Sequence, residues 1–142
     1  MDYYKWLDRE TENLQKETNR LVSGTCGMNG PFKLEREIVA KMVGDQVAGN
    51  YRLSMCDENE DFCVDYVGRS DKQLMERICD HISEGYKTFV WRPQNTAEEA
   101  YKQECAEFHN FGGDIGLLKN DKDEGHPNSP EGLKLKCSIC GK

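Results

Sequence analysis

The segment from Gly49 to Glu84 contains two short apolar runs, an acidic turn between them and an amphipathic stretch directly afterwards. The runs "GNYRLSMC" and "FCVDYVG" have the length and the aromatic and β-branched content of strands, and "DENED" separates them. Two strands so close in sequence pair as an antiparallel hairpin. The stretch "LMERICDHI" then repeats apolar residues at helical spacing. This order restricts the chain to folds in which a helix packs on a sheet.

Two further segments complete the expected domain. "YKTFVWRPQ" predicts a third strand that ends at Pro93, because proline cannot donate a ladder hydrogen bond. "TAEEAYKQECAEFHNFGG" predicts a helix with Thr96 as N-cap, Glu99 completing a capping box and two glycines at its end. We therefore expect an α/β fold with a small three-stranded, mixed or antiparallel sheet flanked by helices. The expected strands are 49–57, 62–68 and 87–92, and the expected helices are 71–84 and 96–110.

The chain is expected to carry an extension on each side of this domain. Residues 3–22 predict a charged amphipathic helix, which is typical of a packing helix or of a homodimer contact. The loop "SGTCGMNGP" follows, and then a second helix that ends near Gly44. The expected units are a helical N-terminal extension over 1–48, the domain over 49–128 and a C-terminal tail over 129–142 that packs on the domain.

Charge and apolar content restrict the class of protein. The chain has 142 residues and a net charge of −7, and its apolar runs are ordered, so it does not have a disordered composition. An acidic protein needs a local basic surface to bind nucleic acid, and residues 65–92 are locally neutral, with five acids and five Lys or Arg. The apolar runs are too short to span a bilayer, and the N-terminus has no apolar signal-peptide region. We expect a cytoplasmic protein without a membrane partner.

Three polar side chains occupy helix positions that call for an explanation. Arg77 and His81 lie four residues apart on one face, at the border of the apolar arc, where an arginine usually extends its charge to solvent. Glu104 falls in the middle of the apolar stripe of the helix 96–110. A carboxylate buried there needs a metal ion, an arginine or a proton. The alternatives are that Glu104 reaches past the stripe to solvent, or that it pairs with Arg77 in an inert domain.

With these residues in place, the chain resembles the GIY-YIG nuclease family over about residues 48–128. The two family signatures stand here as Gly49-Asn50-Tyr51 and Tyr66-Val67-Gly68, although Asn50 takes a position that is usually apolar. The family then has a basic and a small polar residue, an arginine with a histidine four residues later, a glutamate preceded by an alanine, and an asparagine. The counterparts here are Arg69, Ser70, Arg77, His81, Ala100, Glu104 and Asn120, with Asn128 as the second choice for the asparagine.

The resemblance implies a metal-dependent endonuclease that hydrolyses phosphodiester bonds of nucleic acid, with DNA as the first expectation. Glu104 would hold a catalytic Mg²⁺ or Mn²⁺ ion, because these ions prefer hard oxygen ligands. Arg77 would clamp the phosphate, and Tyr51 or Tyr66 would take the proton from the attacking water. A nearby cation, namely Arg69, His81 or the ion, would have to lower the pKa of that tyrosine. The further residues expected to contact the substrate are Gly68, Ser70 and Lys72.

A second hypothesis is a non-catalytic nucleic-acid- or protein-binding module that keeps the GIY-YIG fold and a structural zinc. The acidic turn and the divergent first signature favour it. In that case the two signature tyrosines would only pack in the sheet, which is the commonest use of tyrosine in a strand. A protein partner, or a homodimer through the N-terminal helix, would then account for the extension.

The cysteines predict a zinc site in the tail. The chain has seven of them, which in a reducing compartment are buried thiols or metal ligands. "CSIC" is half of a tetrahedral zinc site, and a cysteine and a histidine four residues apart on the helix 96–110 would complete it. The alternatives are a redox pair and a loose tail with unused thiols. The predicted ligands of this structural zinc are Cys105, His109, Cys137 and Cys140, with His126 and Cys26 as substitutes.

Overall fold

The computed structural model describes residues 3–120 and 125–142. In these ranges it has four α-helices and four strands, and short 3₁₀ turns follow the third and fourth helices at Ile82–Glu84 and Gly113–Ile115. The elements are α1 (Tyr3–Val22), β1 (Asn29–Lys33), α2 (Arg36–Val43), β2 (Ala48–Ser54), β3 (Tyr66–Ser70), α3 (Leu74–Cys79), β4 (Thr88–Gln94) and α4 (Ala97–Asn110).

The strands form one antiparallel sheet in the order β1-β4-β2-β3. β2 and β3 are the predicted hairpin, in which Tyr51 lies opposite Gly68 and Leu53 opposite Tyr66, so this part of the prediction is confirmed. The predicted strand count of three is wrong. β1 is the additional strand, and it pairs with β4 along the segment that was expected to be a loop. Its sequence, "NGPFK", hid it because glycine and proline are rare inside strands.

Several predicted boundaries move for identifiable reasons. β3 begins at Tyr66 rather than at residue 62, because the backbone N–H of Val64 donates to Arg20 of α1 instead of to β2. α3 is much shorter than the predicted helix 71–84, because the Ser70 hydroxyl accepts the N–H of Gln73 at 2.9 Å and holds the preceding residues in a turn. β4 continues through Pro93 to Gln94, past the end of its pairing with β1.

Helices cover both faces of the sheet. α2 and α3 pack on the face that carries Tyr51 and Phe89, and α4 packs on the face that carries Val67 and Val90. Every residue of β2 is therefore buried. Full burial of an apolar side chain such as Leu53 contributes about 1.5–3 kcal/mol, so the apolar layer on the Tyr51 face of this strand is a large stabilising contribution.

The residues before β2 contribute to this same core. Leu34, Val39 and Val43 belong to the apolar cluster under α2 and α3. α1 is attached by polar contacts instead: Arg20 Nη1 lies 3.2 Å from Asp65 Oδ1, and Asn19 Nδ2 donates to Asn110 at 2.9 Å. The predicted extension 1–48 thus supplies a strand and core side chains to the domain.

The tail packs on α4. Leu135 and Cys137 form a small apolar cluster with Tyr101 and Cys105. Among the helices in the described part of the chain, none is long and apolar enough to cross a membrane.

Candidate functional site

A cleft of about 850 Å³ lies along β3, the edge strand of the sheet. Successive side chains of a strand point to opposite faces, so Tyr66 lies on the α3 side and Arg69 on the α4 side. Around an edge strand, side chains from both faces can meet. The segment 125–131, where the expected domain joins the tail, forms the remaining wall.

This cleft brings together most of the residues predicted for the site. The predicted residues that line it are Tyr66, Arg69, Ser70, Lys72, Arg77, Glu104 and Asn120, together with the second choice Asn128. Tyr51 and His81 lie behind Tyr66, where both are buried. Gly68 is not part of the lining.

Glu104 is buried, in agreement with its position on the apolar stripe, and its partner is Arg69. Arg69 Nη1 donates to Glu104 Oε1 at 2.6 Å, while Arg69 Nε donates to Asp71 Oδ1 at 2.9 Å. Glu104 Oε2 accepts no hydrogen bond from any residue of 3–120 or 125–142. Burial raises the pKa of Glu104 to about 7, although Arg69 acts in the opposite direction. The alternative pair of Glu104 with Arg77 does not form.

Arg77 extends from α3 into the same cleft. It forms no ion pair with a residue in the described part of the chain, and its charge acts to lower the pKa of Tyr51. Arg77 is also exposed, whereas Arg69 is half-buried. A guanidinium without a carboxylate partner can bind a phosphate through two parallel N–H···O bonds.

The two signature tyrosines take different places. Their rings stack with centroids 6.2 Å apart and planes 16° apart, but only Tyr66 reaches the cleft. The Tyr51 hydroxyl is buried and lies 2.8 Å from Nε2 of His81. Burial raises the pKa of both tyrosines, and this outweighs the opposite effect of Arg77. The protein cations alone therefore do not lower the pKa of either tyrosine, and a lowering by a bound ion stays a prediction.

Three residues at positions of the resemblance, Gly68, Asn120 and Asn50, stabilise the elements around the site. A Cβ on Gly68 would lie 2.4 Å from Cζ of Tyr51, so the glycine makes room for that ring and does not face a substrate. Asn120 binds Val67 with both amide atoms, accepting its N–H at 3.2 Å and donating to its carbonyl at 2.8 Å. Asn50, at the divergent position, donates to the Ala100 carbonyl at 2.9 Å and thereby ties β2 to α4.

The sequence interpretation missed a second buried carboxylate on α4. Glu107 accepts a hydrogen bond from Arg52 Nε at 2.8 Å and a second one from Nη2 of the same guanidinium. Arg52 also donates to the Gly24 carbonyl at 2.9 Å. Both charged side chains are almost fully buried. The overlooked signal was an arginine between Tyr51 and Leu53, in the middle of a strand that is buried throughout.

A second group of potential ligands lies where the tail meets α4. One ligand atom from each of His109, His126, Cys137 and Cys140 lies within 4.8 Å of the others, so this group could hold a metal ion such as zinc. The predicted ligand Cys105 is not part of the group, although it packs in the same apolar cluster as Cys137, so this part of the predicted ligand set is wrong. His126, a predicted substitute, takes its place.

Hydrogen bonds leave one nitrogen of each histidine directed at this group. His126 Nδ1 donates to the Pro127 carbonyl at 2.8 Å, and its Nε2 lies 3.2 Å from Cys140 Sγ. His109 Nδ1 lies 3.5 Å from Asp114 Oδ2, and its Nε2 is buried without a hydrogen-bond partner among the described residues. A carboxylate or carbonyl on the far nitrogen is the usual second contact of a metal-bound histidine.

The surroundings of Cys137 favour its thiolate form. Burial acts to raise its pKa, but backbone N–H groups of Cys140 and Ile139, together with His126, lower the pKa of Cys137 to about 6. A cysteine binds metal as the thiolate, so this shift is in keeping with a metal ligand.

No protein-family model matches the chain, and neither a curated protein nor a solved structure matches it.

Proposed function

We propose that this protein is a metal-dependent endonuclease, similar to the GIY-YIG nucleases, that hydrolyses phosphodiester bonds of nucleic acid, with DNA as the first candidate. The observation that carries the proposal is the meeting of Glu104, Arg77 and Tyr66 in one cleft. They come from α4, α3 and β3, and packing of the core does not require a carboxylate, an arginine and a phenol to share one opening. In phosphodiester hydrolysis, a carboxylate can hold a metal ion, an arginine can stabilise the charge that develops on the phosphate and a phenol can take part in proton transfer.

The charge of the cleft supports a bound divalent ion. Its lining has five carboxylates but only three Lys or Arg side chains, so the protein alone would repel a phosphate. The carboxylates are Asp71, Glu76, Asp80, Glu104 and Glu131, and the cations are Arg69, Lys72 and Arg77. Glu104 fits Mg²⁺ or Mn²⁺, because its Oε2 is a hard oxygen ligand without a described partner. A bound ion would supply positive charge to the phosphate and acidify a water molecule.

The protein side chains have distinct roles in this proposal. Arg77 binds the phosphate and stabilises the charge that develops on it. Tyr66, rather than Tyr51, stands beside the attacking water, because it is the signature tyrosine that lines the cleft. Burial lowers the pKa of His81, which favours its neutral imidazole. A neutral imidazole can accept a hydrogen bond from the Tyr51 hydroxyl, and this pair lies behind Tyr66. Arg69 neutralises Glu104 and Asp71 on the opposite wall.

A cleavage assay tests the proposal. We expect the purified protein to cut at least one of labelled single-stranded DNA, duplex DNA, branched DNA and RNA when Mn²⁺ or Mg²⁺ is added, and none without an added ion. Glu104→Gln should abolish cleavage because it removes the anionic ligand. Glu98→Gln is the matched control, since Glu98 is exposed on the same helix, and it should cut at the wild-type rate.

The second candidate is the non-catalytic binding module, and the Arg69–Glu104 ion pair favours it. In that case Arg69 would be the permanent partner of the buried carboxylate, and no ion would be needed. The two functions differ in what Glu104→Gln changes. In an inert module it would mainly lower stability, by a few kcal/mol. A wild-type protein that cuts none of the four substrates, with a large stability loss in Glu104→Gln, would contradict the nuclease.

We further infer that the group of His109, His126, Cys137 and Cys140 binds one structural Zn²⁺. Two thiolates and two imidazoles form a closed tetrahedral set, which is typical of structural rather than catalytic zinc. The other cysteines are also free thiols, in keeping with a reducing compartment such as the cytoplasm.

Metal analysis of protein purified without a chelator is expected to give close to one zinc per chain. The double substitution Cys137→Ser plus Cys140→Ser should remove the zinc and lower the melting temperature, because zinc binding is coupled to the folding of the tail. Cys26→Ser serves as the control, because Cys26 is an exposed thiol outside the group. An unchanged zinc content in the double variant would show that the metal lies elsewhere.

A further inference from the structure

The zinc-binding group and the cleft share a residue. His126 belongs to the group of potential ligands and also lines the cleft, together with Gly125, Pro127, Asn128 and Glu131. The segment 125–131 thus forms one wall of the cleft, opposite residues of α3 and α4. Its position depends on how the tail folds, because it is not part of the sheet.

The described contacts that hold this wall in place converge on the ligand group. The His126 ring packs edge-on against Phe108, with centroids 5.6 Å apart, and lies beside His109 of the group at 5.5 Å. On the cleft side, Lys72 Nζ is 4.0 Å from Glu131, and both side chains are highly exposed, so this ion pair contributes little. Among the described residues, the Ser129 hydroxyl forms hydrogen bonds to Leu133 and Leu135, which both belong to the tail.

Without a metal ion, the group would leave an unfavourable contact at the base of the wall, because His109 Nε2 would stay buried without a partner among the described residues. A tetrahedral Zn²⁺ held by the four ligand atoms, which lie within 4.8 Å of one another, would supply that partner and fix His126 to α4. Asn128, two residues after His126, is exposed and lines the same cleft as Arg77 of α3.

We propose that residues 125–131 are the zinc-assembled half of the nucleic-acid binding site, in which the metal at His126 holds the wall against the cleft and Asn128 hydrogen-bonds the bound strand. This inference rests on the proposed function, because it takes the cleft to be the binding site for nucleic acid. Asn128 would then be a residue that binds the substrate, and the affinity for the substrate would depend on zinc. A zinc ion that only stabilises the fold would leave the substrate affinity of the folded protein unchanged.

The test compares the zinc content, KM and kcat of four proteins on the oligonucleotide that the wild type cuts best. Asn128→Ala should keep one zinc per chain and raise KM about three- to tenfold, with little change in kcat, because it removes a hydrogen bond used in binding. Cys140→Ser should lose zinc and raise KM further. Cys26→Ser, the matched control, should match the wild type in all three quantities.

The inference is overturned if Asn128→Ala retains the wild-type KM, or if zinc-free, folded Cys140→Ser does so. If Cys140→Ser does not fold, the result for Asn128→Ala decides. If the wild type cuts no substrate, fluorescence anisotropy with the same labelled oligonucleotides replaces KM by Kd. Binding that weakens in Asn128→Ala would then support the wall while the nuclease proposal fails, and a wild type that binds no oligonucleotide would overturn both.

Discussion

Replacing Arg77 by alanine is expected to lower the rate of phosphodiester cleavage by about a hundredfold or more, as is typical when one preorganised group that stabilises transition-state charge is removed. The melting temperature should change little, because Arg77 is exposed and forms no ion pair with a described residue. Single-turnover cleavage with saturating Mn²⁺ measures the first quantity, and thermal unfolding measures the second.

Two further variants make the result specific for Arg77. Arg77→Lys should be intermediate, because lysine keeps the charge but cannot bind a phosphate with two parallel hydrogen bonds. Arg36→Ala removes an exposed arginine of the neighbouring helix α2, which does not line the cleft, and it should cut at the wild-type rate. If Arg77→Ala cleaves at the wild-type rate, Arg77 does not bind the phosphate as proposed.

Glu107→Ala is expected to cost about 3–5 kcal/mol of the free energy of unfolding, because it leaves the Arg52 guanidinium buried without its carboxylate. Arg52 and Glu107 are only 5% and 3% exposed, so water cannot replace the lost partner. Urea unfolding followed by circular dichroism measures this change. The pair ties the middle of β2 to α4, and the loss should therefore affect the whole domain.

An exposed pair on the same helix provides the control. Glu98 and Lys102 lie 3.3 Å apart at the surface, and Glu98→Ala should change the free energy of unfolding by less than about 1 kcal/mol. Removing both buried charges in Arg52→Met plus Glu107→Leu should recover much of the loss, because no unpaired ion remains. If Glu107→Ala were no more destabilising than Glu98→Ala, the buried ion pair would not contribute as the structure indicates.

The elements that the sequence predicts well are those determined by local pattern. The hairpin of β2 and β3 follows from two apolar strands around an acidic turn, and its pairing brings Tyr51 and Tyr66 together. The burial of Glu104 follows from its position on the apolar stripe of α4. That position can be derived from the helical periodicity of the sequence alone. The Thr96 cap is of the same kind, since its hydroxyl accepts the Glu99 N–H within one turn.

The features that the sequence does not predict depend on contacts between distant segments. β1 is a strand because it pairs with β4, although its own residues have little strand propensity. Arg69 rather than Arg77 meets Glu104 because strand alternation turns Arg69 toward α4, whereas Arg77 starts from the opposite face of the sheet. His126 replaces Cys105 as a ligand because the path of the tail, which no local pattern records, brings it beside His109.

Location of Mn²⁺ by anomalous scattering, in crystals of the zinc-loaded protein soaked with the ion, tests most directly whether Glu104 is the catalytic metal ligand. The proposed function predicts an ion within about 2.0–2.6 Å of a Glu104 carboxylate oxygen, in the cleft that Arg77 and Tyr66 line. The hydrogen bond from Arg69 to Glu104 Oε1 should then be broken, so that Asp71 remains as the partner of Arg69. Mn²⁺ that is absent from the cleft at a saturating concentration, with the Arg69–Glu104 ion pair intact, would contradict the proposed nuclease.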